Sequence, residues 1–132
     1  CSLDDTICCW DARQLQPFET DCIARFEYNR AVTSVAFHPT IRGKLVSTCY
    51  DDSVRIHSDI TSGQPQELRV THNNQTGRWI TPFRAIWDPK SDFANSSIVI
   101  GDMNRGLDHI DDQTGLVTNS LSPLLTAQPA VN

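Results

Sequence analysis

The run His-Asn-Asn-Gln-Thr-Gly-Arg-Trp-Ile-Thr, residues 72–81, holds the side chains best suited to meeting an outside partner. Arg78 supplies a guanidinium, which pairs in a fixed fork with phosphate or carboxylate, and Trp79 supplies a flat indole for stacking. Gly77, just before them, permits the positive φ that a tight loop tip often needs. Two readings of Trp79 stand open. It is displayed to a ligand, or it caps the structure beneath, since alternation with Ile80 turns one of the two inward.

Catalytic constellations are absent from the pattern. Cys49, His38, His57, His72 and His109 are scattered, with no nucleophile elbow, HExxH or phosphate loop. No CxxC or Cys/His spacing suits zinc, so no metal or cofactor is expected. Asp4-Asp5 and Asp51-Asp52 recur at matching positions and read as turn residues, whose carboxylates bond nearby amides. The reading is a binding module without chemistry of its own.

The chain has 132 residues and a net charge of −5, with 39% hydrophobic content, which suits one globular domain rich in turns. No apolar run approaches the roughly 18 residues of a membrane-spanning helix, and no membrane partner is expected. The five cysteines are an odd set, with Cys8 and Cys9 adjacent, and read as small buried hydrophobes in a reducing compartment. Asn74-Gln75-Thr76 and Asn95-Ser96-Ser97 match the glycosylation sequon by chance. Charge is unevenly spread. Residues 65–90 carry Arg69, Arg78, Arg84 and Lys90 against Glu67 and Asp88, whereas the flanking segments are both acidic.

These residues must be positioned by a repeat. Ser2 to Asp11 lines up with Cys49 to Ser58 at an offset of 47, and Val35 to Pro39 with Ala85 to Pro89 at an offset of 50. Periods of this length mean a propeller or solenoid. Strands are expected at 32–37, 44–49, 53–57 and 67–71, then at 83–87, 97–100, 107–110 and 116–120, with no amphipathic helix. Gln113-Thr114-Gly115 should close a tight turn. Four short antiparallel strands per unit, with Trp10-Asp11 ending one, make an all-β, WD40-type propeller, of which this chain is a fragment of about two to three four-stranded blades. Residues 1–22 read as the end of one blade, 23–71 and 72–121 as two blade regions, and 122–132 as entry to the next. No targeting segment can be read at the start, and because two to three blades cannot close a ring of the usual roughly four to eight, a longer native protein is expected.

The segment HNNQTGRWITPFRAIWDP, His72 to Pro89, resembles the nuclear family that contains WD-repeat protein 76 and the yeast changed-mutation-rate protein. VIGDMNRGLDHIDDQTG, Val99 to Gly115, and Trp10-Asp11-Ala12-Arg13-Gln14-Leu15 fit it too. A more distant likeness is to subunit 2 of the damage-specific DNA-binding complex, whose hairpin here inserts side chains at ultraviolet lesions. The resemblance implies binding to DNA, preferentially damaged duplex, in the nuclear DNA damage response. It places Gly77, Arg78 and Trp79 where that relative has a lesion-probing tip of Phe, Gln and His, a departure that removes one aromatic. His72, Arg69 and Arg84 are candidate phosphate-backbone contacts. An indole stacks on an unpaired base at about 1–3 kcal/mol, and a lesion lowers the cost of opening the helix. The competing reading is a protein-interaction scaffold. Trp10-Asp11-Ala12-Arg13 resembles the box of substrate receptors for cullin-4 ubiquitin ligases, with Asp11 and Arg13 meeting the ligase adaptor.

Overall fold

The computed structural model describes residues 5–14 and 21–120. The expected entry to a further blade, 122–132, and Asp4 lie outside them. Among the described residues ten strands form three antiparallel sheets. β1 (Thr6–Cys9) pairs with β2 (Ala24–Glu27). β3 (Val32–Phe37), β4 (Leu45–Cys49), β5 (Ser53–Ser58) and β6 (Gln66–Thr71) follow in order in a four-stranded sheet. β7 (Ile86–Trp87), β8 (Ser97–Gly101), β9 (Leu107–Asp111) and β10 (Val117–Ser120) form the third. A single short 3-10 turn, Ile60–Ser62, is the only helical element among the described residues. The architecture is nearly all-β, as the repeat predicted, with two complete four-stranded blades. Among the described residues β2 pairs as a strand with β1, so residues 24–27 sit in the sheet before the one formed by residues 32–71.

Each sheet buries itself against the next. Leu45 and Cys49 of β4, with Val32 and Ile60, pack on Ile7, Phe26 and Tyr28 of the first sheet. Val46, Val54, Ile56 and Val70 face the other way, onto Ala85, Trp87, Ile98, Ile100 and Ile110 of the third. Successive side chains on a strand point to opposite faces. A sheet covered on both faces therefore needs a strand buried at every position, and β4, Leu-Val-Ser-Thr-Cys, is buried throughout. Polar residues there are satisfied: the Tyr28 hydroxyl lies 2.8 Å from both Ser47 Oγ and His57 Nε2.

One strand is shorter than its pattern. The expected 83–87 strand pairs within its sheet only at Ile86 and Trp87, because the preceding backbone is bonded elsewhere. The Ala85 amide donates to Thr48 Oγ1 (3.0 Å) and Thr33 Oγ1 donates to the Phe83 carbonyl (3.4 Å). These bonds tie the third sheet to the second, as do the Trp87 indole N–H to the Ala36 carbonyl (3.0 Å) and His38 to Ser96 (2.9 Å).

Strand direction sorts the loops. In an antiparallel meander alternate connections emerge at opposite ends. The β2–β3 link, the β4–β5 turn, the long 72–85 connection and the β8–β9 turn lie at one end, where the Tyr50 amide donates to the Ala31 carbonyl (3.1 Å) and the His72 amide to Asp52 (3.0 Å). The β1–β2, β3–β4, β5–β6, β7–β8 and β9–β10 connections lie at the other. The Arg78–Trp79 segment and the Asp11–Arg13 box are thereby placed at opposite ends.

Candidate functional site

The polar run after β6 does not hang free. From residue 72 to 77 burial alternates, with His72, Asn74 and Thr76 inward and Asn73, Gln75 and Gly77 outward. Such alternation is the signature of an extended chain lying on a surface. Asn74, only 2% exposed, holds it there: its amide nitrogen donates to the carbonyls of Cys49 (2.8 Å) and Ser53 (3.0 Å), and its backbone N–H donates to Asp52 Oδ1 (3.0 Å). Gln75 adds a bond from Nε2 to the Tyr50 carbonyl at 2.7 Å. The acceptors belong to the β4–β5 turn, where Asp52 takes a left-handed φ of 57°. A small polar side chain tolerates that conformation because it bonds locally.

Beyond this anchor the chain turns outward. Gly77 has φ 70°, and no atom lies within 4 Å of where a Cβ would stand, so the tip projects into open space. Trp79 is 89% exposed, and the Arg78 guanidinium sits 5.3 Å from its ring centroid. Among the described residues Trp79 is not packed inward. Strand alternation fails at this point because residues 77–79 form a turn, and Ile80 is also half exposed. A stacked guanidinium holds an exposed indole by about 0.5–1 kcal/mol, less than one base stack contributes, so a ligand can displace it.

The flanking candidates divide. Arg84 is exposed, as is Arg69, which reaches Asp51 at 3.3 Å. His72, expected as a surface contact, is instead buried: its ring lies between Asn74 Oδ1 (2.7 Å) and Asp108 Oδ2 (3.2 Å), edge-on to Phe83. It supports the loop from beneath, because an imidazole walled in by Phe83 and Asn74 has no surface left for a phosphate. Of the supports of the tip, Asp52 was legible as a turn residue, while Asn74 and Asp108 carried no signal for this role beyond the period-two spacing of His72, Asn74 and Thr76.

At the opposite end Asp11 and Arg13 do meet. Arg13 donates from Nε to Asp11 Oδ1 (3.0 Å) and from a terminal nitrogen to Oδ2 (2.8 Å), while its backbone N–H also donates to Oδ1 (3.0 Å). These hydrogen bonds pull the Asp11 carboxyl down to about 2. The pair fixes a guanidinium whose side chain stays 89% exposed.

His38 and His57 are held in packing contacts. His38 bonds Ser96, His57 is enclosed by Phe26, Tyr28 and Arg55, and no cluster of three or more metal-ligating side chains exists among the described residues. No helix of the described residues is long and apolar enough to cross a membrane.

No family model matches the chain. It is similar to WD repeat-containing protein 76 of Xenopus laevis, at 37% identity over 75% of this chain and 17% of that protein. It is 34% identical to Protein DAMAGED DNA-BINDING 2 of Arabidopsis thaliana over 100% of this chain and 25% of the relative. DNA damage-binding protein cmr1 of Aspergillus terreus is 30% identical over 98% of this chain and 27% of its own length. The chain thus spans about a quarter or less of the curated relatives it matches. Stacked four-stranded blades, the spacing of the repeat and these similarities agree: the chain belongs to the WD-repeat family of WD repeat-containing protein 76 and the DNA damage-binding proteins, and its fold is that of WD40 propeller blades.

Proposed function

We propose that these blades carry a DNA-binding surface with preference for damaged duplex, acting in the nuclear DNA damage response, and that Arg78 and Trp79 are its reading tip. The exposed indole on a pinned loop, paired with a guanidinium, is the observation that supports this most. Trp79 stacks on an unpaired or weakly stacked base, Arg78 leaves the ring for a phosphate, and Gly77 allows both to project. Arg84 adds a backbone contact. Selectivity arises because a lesion has already weakened stacking, so opening the helix there costs less; base sequence is not read. The names of the relatives, which refer to binding damaged DNA, support the same reading.

In the full-length protein, Trp79→Ala combined with Arg78→Ala should weaken binding to an irradiated duplex on the order of tenfold and shrink the preference over an unirradiated one. Equilibrium titrations at fixed salt check this. Unchanged affinity and unchanged preference would sink the tip assignment.

A second reading concerns the other end. The Arg13 guanidinium, oriented by Asp11 yet exposed, favours a docking contact for a cullin-4 ligase adaptor. Because the two surfaces lie at opposite ends, both partners can be held at once. Arg13→Ala should abolish adaptor co-purification and leave DNA affinity at the wild-type value; retained co-purification rejects the contact.

A further inference from the structure

We infer that the groove beside the tip loop, about 610 Å³ and lined by Asn29, Arg30, Tyr50, Arg69 and Gln75 with the Asp51–Asp52 turn, is a track for a nucleic-acid phosphodiester strand, with Arg30 and Arg69 as its phosphate contacts. This rests on the DNA reading of the tip. The groove lies at the same end as Trp79, since its walls are the β2–β3 link, the β4–β5 turn and the start of the 72–85 connection. Gln75 belongs to both features: its amide donates into the β4–β5 turn, at 2.7 Å to Tyr50 and 3.2 Å to Asp52, and Gly77 follows two residues later. Two extended residues span about 7 Å, and each strand of a duplex places a phosphate about every 3.4 Å of helix axis. A strand stacked at the tip therefore reaches the groove within a few nucleotides.

The carboxylates in the wall do not cancel its cations. Asp51 is committed to Arg55 at 2.6 Å, a pair with both side chains buried, and Asp52 Oδ1 accepts from the Asn74 amide and Gln75. Arg69 touches Asp51 from an exposed position, at 3.3 Å, where an ion pair contributes little. A guanidinium has five donors, so Arg69 keeps that bond and still meets a phosphate. Arg30 is exposed beside it, and the half-buried Tyr50 adds an aromatic surface. An acidic peptide would also suit two arginines. Continuity with an exposed indole and the presence of Tyr50 favour a strand with bases.

Phosphate contacts set affinity and its salt dependence without reading damage, which separates this groove from the tip. In the full-length protein, Arg30→Ala with Arg69→Ala should lower the slope of log affinity against log salt by about 1 to 2. Irradiated and unirradiated duplexes should both weaken, on the order of tenfold, with their ratio preserved. Arg30→Lys with Arg69→Lys, which keeps the charges, should retain the slope. A wild-type slope in the alanine variant overturns the assignment and leaves the groove to a partner other than DNA. A slope lost equally in the lysine variant also overturns it, because charge is then not the cause. If Trp79→Ala is silent while the groove variant loses slope, the tip reading falls and the groove stands, so the two fail separately.

Discussion

Asn74→Ala should destabilise the protein by about 3 kcal/mol, roughly one for each of its three side-chain hydrogen bonds, and should weaken DNA binding although the residue touches no ligand. Its amide nitrogen satisfies two carbonyls of the neighbouring hairpin and its oxygen meets His72, all in a site that is closed to solvent. Alanine leaves those groups buried without partners. The loop then comes away from the β4–β5 turn, and its residues must be ordered again on binding, at about 1–2 kcal/mol per residue immobilised. The expected profile is specific. Affinity for irradiated duplex falls while the salt slope stays at the wild-type value, since Arg78, Arg69 and Arg30 are all retained, and the emission of exposed Trp79 becomes more depolarised, with lower anisotropy before DNA is added. A variant as stable as wild type, with unchanged anisotropy, would show that the loop does not depend on this anchor.

Acid should weaken the fold through His57. Burial, and secondarily the nearby Arg55 charge, push its imidazole down to about 4 from an ordinary 6.5. Glu67 lies 3.7 Å from Nδ1 and pulls the other way, but it is partly solvated and the buried environment prevails. The folded state therefore resists protonation that the unfolded chain accepts. Stability is fully present above pH 6.5 and is lost as pH falls toward about 4, by about 3 kcal/mol in all. Thermal unfolding of full-length protein between these limits measures the loss, and His57→Gln should flatten it over that window whatever its cost at neutral pH. An unchanged acid limb in the variant would assign the effect elsewhere. Asp51 acts lower still. Its burial opposes ionisation, but hydrogen bonds from Ser53 and Arg55 outweigh that and hold its pKa below 3.8, so its contribution disappears only at more acid pH.

The two effects meet in one structural fact: polar residues in this chain are buried between sheets and on top of them. A repeat is legible in sequence because strands alternate in side-chain direction and turns demand particular residues. The strands at 32–37 and around 45–49, 53–58, 66–71, 97–101 and 107–111 follow from that grammar, as does the Asp111 turn, whose carboxylate accepts from the amides of Gln113 and Thr114. Position within the repeat says less about neighbours. Trp87 is buried against the second sheet, with its indole bonded to Ala36, a contact set by how the sheets stack.

The amino-acid sequence by itself determined the blade architecture, the family, and the presence of an arginine and a tryptophan in a glycine-containing loop. Those are local properties, set by period, turn chemistry and residue type. Only the tertiary structure decided that Trp79 points away from the blade, that His72 lies beneath the loop rather than on it, and that Arg30 and Arg69, 39 positions apart, line one groove. The reason is that a loop's direction depends on where its backbone and side-chain hydrogen bonds are satisfied. Here the partners of Asn74 and Gln75 are the carbonyls and carboxylate of a hairpin more than twenty residues earlier, a pairing that exists only once the chain has folded back on itself.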